Sequence, residues 1–144
     1  MLIVVGGVLA LLLLGGVATG FVLYNRAAAP DRSAPDVVVV NYLQAALVSR
    51  DPNRAKLFTC DGSVPALDQF NAQAVRREQE LGVSLSINIE GVSVAKINSN
   101  NASVTAVIRR SASIDGIQQS LADTWRFDVQ DRDGWRVCTG ARVG

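Results

Sequence analysis

The chain contains no histidine. That removes the usual general base and the commonest metal ligand, and with them any Ser-His-Asp or Cys-His catalytic site built from this chain alone. Lysine is nearly absent, with 2 residues against 12 arginines, and the formal net charge is only +1. So small an excess leaves no broad electrostatic case for nucleic acid. Cysteine occurs twice, at Cys60 and Cys138, which is too few for a zinc site without histidine. No glycine-rich phosphate loop is present, because Gly6-Gly7 and Gly15-Gly16 fall within an apolar run. No cofactor and no metal are expected.

Charge is also missing locally. Residues 2–24 form 23 consecutive positions without a charged side chain. At about 1.5 Å per residue such a helix crosses a ~30 Å hydrocarbon core with some tilt. A signal peptide would have a shorter apolar stretch behind a basic segment, and Pro30 directly after Ala27-Ala28-Ala29 disfavours cleavage there. No cysteine follows the run to carry a lipid. The expectation is an uncleaved single-pass anchor at residues 2–24, a linker at residues 25–32 and a folded domain at residues 33–144. Gly16-Val17-Ala18-Thr19-Gly20 has the G-x-x-x-G spacing that lets two spans pack into a homo-oligomer, a spacing that also arises by chance in a glycine-rich span, and both readings stay open.

Orientation is pulled two ways. Arg26 and Arg32 follow the span, and the positive-inside rule would hold the domain in the cytoplasm. The paired cysteines favour the outside, where disulfides persist. The favoured reading is an extracytoplasmic domain at the cell membrane with a Cys60–Cys138 bridge. Two buried free thiols would follow from the opposite topology.

The stretch from Gly82 to Thr139 reads as four strands. Val83, Leu85, Ile87 and Ile89 alternate with Ser84, Ser86 and Asn88, and the phase slips by one at Glu90-Gly91, the signature of a β-bulge. Asp115-Gly116 is a two-residue hairpin signal. Such a turn pairs Ile108 with Asp123, Ala106 with Trp125 and Val104 with Phe127, putting all six on one face with Leu121 and Val129. A three-residue loop, Arg132-Asp133-Gly134, then keeps Trp135 and Val137 on that face, with Gly134 in the left-handed region.

Helices cover this face. Ser33 is expected to cap a helix with Pro35 in its first turn and Val39, Val40, Leu43, Ala46 and Leu47 facing inward, ending near Ser49. Asp51-Pro52 opens a short helix through Phe58. Ser63 is expected to cap a third, with Leu67, Phe70, Ala74 and Leu81 buried, Glu78 and Glu80 on its wet side and Gly82 ending it. The fold class is therefore α+β: a transmembrane helix, then a helical layer packed on a bent four-stranded antiparallel sheet.

Asn41-Tyr42-Leu43-Gln44-Ala45-Ala46-Leu47, followed by Asp51 and the short helix to Cys60, resembles the opening of nuclear-transport-factor-two-like domains of the cystatin-like superfamily. Asp133-Gly134-Trp135-Arg136-Val137-Cys138 is similar to the closing hairpin of that group. With the span and the two cysteines, the chain also resembles a set of actinobacterial envelope proteins. The resemblance covers about residues 33–144 and lacks an evident first short strand. It implies helices lying in the concave side of a bent sheet. Some members are isomerases or dehydratases acting in the cavity between helices and sheet, and others bind without chemistry.

Asp123, on the apolar face, is either a candidate acid or base or a boundary carboxylate paired diagonally with Arg110. Tyr42 is either a second cavity group or an amphipathic packing residue. With Trp125 and Arg110 these make the candidate ligand-binding set, and none is assigned as catalytic. Two functions are therefore open. One is a membrane-tethered binding or assembly module contacting a protein partner or an envelope molecule. The other is a small-molecule enzyme or sensor using the cavity. The missing histidine favours the first.

Overall fold

The computed structural model describes residues 30–144. Asp31–Gly144 forms one compact unit. The expected span at residues 2–24 and most of the linker lie outside the described residues. Among the described residues no helix is long and apolar enough to cross a membrane.

The unit is α+β. Three helical segments precede four antiparallel strands in the order β1-β2-β3-β4. The segments are α1 (Pro35–Leu43, continued by a π-helical turn, Gln44–Val48), α2 (Pro52–Ala55, with a 3-10 turn, Lys56–Phe58) and α3 (Pro65–Leu81). The strands are β1 (Ser86–Lys96), β2 (Asn101–Ile114), β3 (Ile117–Asp131) and β4 (Trp135–Arg142). One apolar cluster joins the two layers, drawn from Val38, Leu43, Phe58, Leu67, Phe70, Val104, Ile108, Trp125, Phe127 and Val137 among others.

Three prolines stand at the first position of a helix, where the missing N–H costs nothing. The caps differ from expectation in two of three cases. Asp51 does cap α2, accepting from the amides of Asn53 and Arg54 at 3.1 and 3.2 Å. Ser33 does not cap α1: Ala34 holds that place, and the Ser33 hydroxyl donates to Asp31 at 2.7 Å. Ser63 does not cap α3 either, since Val64, fully buried, stands one residue later in the capping position. In both helices burial and the proline set the start, and the hydroxyl is left one residue too early.

The inner face of α1 is also shifted by one. Val38 and Tyr42 are sealed, while Val40 and Ala46 are only half-buried. The π turn explains part of this. The Ser49 amide donates to Gln44 and the Asp51 amide to Ala45, both at 2.9 Å, and this wider turn brings Ala45 and Leu47 inward together. Arg50 closes it in the left-handed region, at φ 51°.

The sheet follows the expected register. Ile114 faces Ile117 across Asp115-Gly116, and Ala106 faces Trp125. The slip in β1 lies between Glu90 and Ser93, with Gly91 at φ 56°. Asp131 faces Trp135 across the three-residue loop, and Gly134 has φ 100°. Strand β4 continues past the expected end at Thr139 to Arg142. A second register shift lies opposite Cys138, between Asp128 and Val129. The outer edge of β4 is met by a single parallel bridge, Thr59 to Val137, and the Cys60 amide donates to the Val137 carbonyl at 2.9 Å. Two leucines depart from expectation: Leu81 and Leu121, written in phase with the core, are largely exposed.

Candidate functional site

The long central hairpin positions the first group. Arg110 and Asp123 are diagonal neighbours on the inner face of β2 and β3, because Ile108 is the residue directly opposite Asp123. Arg110 Nη2 donates to Asp123 Oδ2 at 2.9 Å, and both side chains are largely buried. Arg142 of β4 stands 3.7 Å from the other carboxylate oxygen. The Arg110 guanidinium lies 4.6 Å over the ring of Phe70 from α3, and Phe70 meets Trp125 edge-on at 5.3 Å between centroids. Trp125 in turn stacks on Phe127. The carboxylate is therefore held between two arginines, one of which also packs on the Phe70 ring, an ion pair built into the wall of the core.

Two donors in this group find no acceptor in the protein. Arg110 Nε and Trp125 Nε1 are both buried and unpaired among the described residues. Orphan buried donors are uncommon in folded proteins and call for a reason.

Asp123, Arg110 and Trp125 are thus brought together as the alternation implies. Tyr42 is not part of the group. It lies among the helices, lining a 370 Å³ pocket with Arg50, Ser63, Leu67, Asp68 and Asn71. Burial, with the negative charge of Asp68 adding to it, pushes its phenol pKa well above the ordinary tyrosine value, so the hydroxyl is neutral near pH 7. Phe70 and Arg142 complete the site without having been legible as parts of it. Phe70 reads only as a packing residue, and Arg142 was hidden because the glycine at Gly140 reads as the end of β4.

Glu78 is a second departure. It is not a free surface group but takes both guanidinium nitrogens of Arg50, at 2.6 and 2.8 Å, and accepts from the Leu85 amide at 3.0 Å. The Arg50 hydrogen bonds hold its carboxyl below the usual range, helped by the Leu85 amide and against the cost of desolvation. Opposite it, hydrogen bonding to Glu78 raises Arg50.

The two cysteines are joined. Cys60, after the 3-10 turn, and Cys138, on β4, form a disulfide with Cα atoms 4.8 Å apart and a sequence separation of 78.

No family model matches the chain, and no curated protein matches it. Solved structures do. The chain is similar to Rv3472, a function unknown protein from Mycobacterium tuberculosis, at 11% identity and TM-score 0.53, over 88% of this chain and 74% of that one. It is also similar to a ketosteroid isomerase-like protein from Erwinia carotovora atroseptica, at 14% identity and TM-score 0.49, over 76% of this chain and 94% of that one. An NTF2-like protein from Burkholderia thailandensis is a third neighbour, at 14% identity and TM-score 0.38, over 76% of this chain and 88% of that one. The first likeness bears on the fold alone. At their lower scores the other two carry no argument about this chain.

Proposed function

We propose that this protein is a membrane-tethered binding or assembly module of the cell envelope, with a nuclear-transport-factor-two-like domain outside the cytoplasm. The observation that carries the reading is the state of Asp123. The carboxylate at the centre of the candidate site is committed to Arg110, which packs on the Phe70 ring, with Arg142 on its other side. A general acid or base must reach the atom it protonates, and this one is turned into the wall. The Cys60–Cys138 bridge supports the extracytoplasmic side, where such bonds persist. The charge-free run at residues 2–24 supports the tether. Contact with a protein partner or an envelope molecule is the activity proposed, and actinobacterial envelope proteins are the relatives it suggests.

The small-molecule enzyme or sensor is the second reading, favoured by the pocket that places Tyr42 beside Asp68. Two measurements separate the cases. A reporter active only outside the cytoplasm, fused after Gly144, is expected to be active. An inactive reporter beside an active cytoplasmic one overturns the orientation. Asp123→Asn is expected to change stability and ligand fit rather than turnover. A fall of ~100-fold or more in any turnover assay, the scale of lost acid–base catalysis, rejects the module in favour of an enzyme.

A further inference from the structure

The two misplaced leucines lie at one place. Leu81, 45% exposed at the end of α3, and Leu121, 58% exposed on β3, line the same open groove. Leu85 and Ile114 form its remaining apolar wall, and Ile117 is exposed at the hairpin beyond. In both elements the apolar phase continues one step past the residues that cover it. An apolar patch left open at the margin of a core marks a surface that something else covers.

The polar lining has one sign. Arg77 and Arg110 line the groove and no carboxylate does. The Arg110 charge is matched by Asp123, but its Nε–H has no acceptor among the described residues. Arg77 has no ion-pair partner within 4.0 Å among the described residues. The groove therefore presents one guanidinium without an ion pair, Arg77, beside four aliphatic side chains, while the Arg110 Nε–H is sealed from solvent. Its volume of 460 Å³ falls within the roughly 300–1,000 Å³ range of small-molecule sites.

We infer that this groove binds a long-chain carboxylate, a free fatty-acid anion. Its alkyl chain lies on Leu81, Leu85, Ile114 and Leu121, and its head group is at the Arg77 guanidinium, beside Arg110. A monoanion matches the single spare charge, and an aliphatic chain matches walls that contain no aromatic ring. A guanidinium beside a carboxylate makes short, charge-assisted hydrogen bonds. The inference deepens the binding-module reading and rests on it.

The test uses the full chain in phosphatidylcholine nanodiscs and a photoactivatable dodecanoate, with the labelled residues mapped by mass spectrometry. Label is expected on peptides containing Leu81, Leu85 and Leu121. Dodecanoate should compete it away at about tenfold lower concentration than dodecanol or dodecyltrimethylammonium. Competition should strengthen about two- to fourfold per methylene from octanoate to dodecanoate, the range set by partial to full burial of each group. Arg77→Gln should lower labelling about five- to tenfold. Leu121→Ser, at an exposed position, should abolish it while leaving the disulfide and the melting temperature unchanged. Equal competition by the cationic amphiphile, label confined to residues 2–24, or crosslinks between two chains through Leu81 and Leu121 would each overturn the proposal. None of these bears on the reporter measurement, so the ligand can fail while the tethered module stands.

Discussion

At Gly140 the backbone needs the smallest side chain for reasons of space, not conformation. A Cβ there would lie 2.8 Å from two ring carbons of Phe127 and 3.2 Å from a methyl of Val64. Both neighbours are sealed in the core and cannot move aside cheaply. Gly140→Ala should therefore cost about 1–3 kcal/mol, the range for overpacking, read as a lower midpoint in a denaturant titration at unchanged slope. A neutral result would mean that the end of β4 gives way more easily than its packing indicates. The same residue shows where sequence reading stops. Alternation carries no distance, so a glycine after Thr139 looks like the end of a strand, and with it went Arg142. Asp123 and Arg110 were legible because the hairpin register makes them diagonal neighbours whatever the details of packing. Phe70, the ring under the Arg110 guanidinium, was not, since helical periodicity says that a residue is buried but not what it touches.

Between elements, the Arg50–Glu78 pair joins the end of the π turn to the last turns of α3 and, through the Leu85 amide, to the approach of β1. It is bidentate, with Glu78 mostly shielded and Arg50 about one third exposed, so its contribution is modest: removing it with Glu78→Gln should cost about 1–2 kcal/mol. The carboxyl pKa is lowered in the folded state. Its contribution is therefore fully present above the ordinary glutamate pKa and disappears as the pH falls through the depressed folded value. Melting temperatures measured downward from pH 7 should show the wild type losing part of its advantage over Glu78→Gln below about pH 4.3, the ordinary glutamate value. A constant difference down to pH 2 would remove the pair from the account. Sheet register was the part of the architecture most open to sequence reading, because two strands and a two-residue turn must agree. Helix caps were the least, since Ser33 and Ser63 each stand one residue before the position that burial selects.

For the molecule as a whole, the disulfide ties the helical layer to the last strand across 78 residues of chain. The chain-entropy estimate for a loop of this size is about 4–5 kcal/mol, a large share of the roughly 5–15 kcal/mol total of a small domain. The double change Cys60→Ser with Cys138→Ser should lower unfolding stability by that order, and a reducing agent should do the same to the wild type. Free thiols alkylated quantitatively in freshly isolated, non-reduced protein would contradict the bridge and remove its support for the outside orientation. The link to β4 has another consequence, one of timing. The Thr59–Val137 bridge and the Cys60 amide bond are made with β4, which follows every other described element in the chain. Helices α1 and α2 come first in the chain, but the edge they are built to meet does not exist until β4 has followed them. Until then the helical layer presents an unfinished surface, and closure waits for β4.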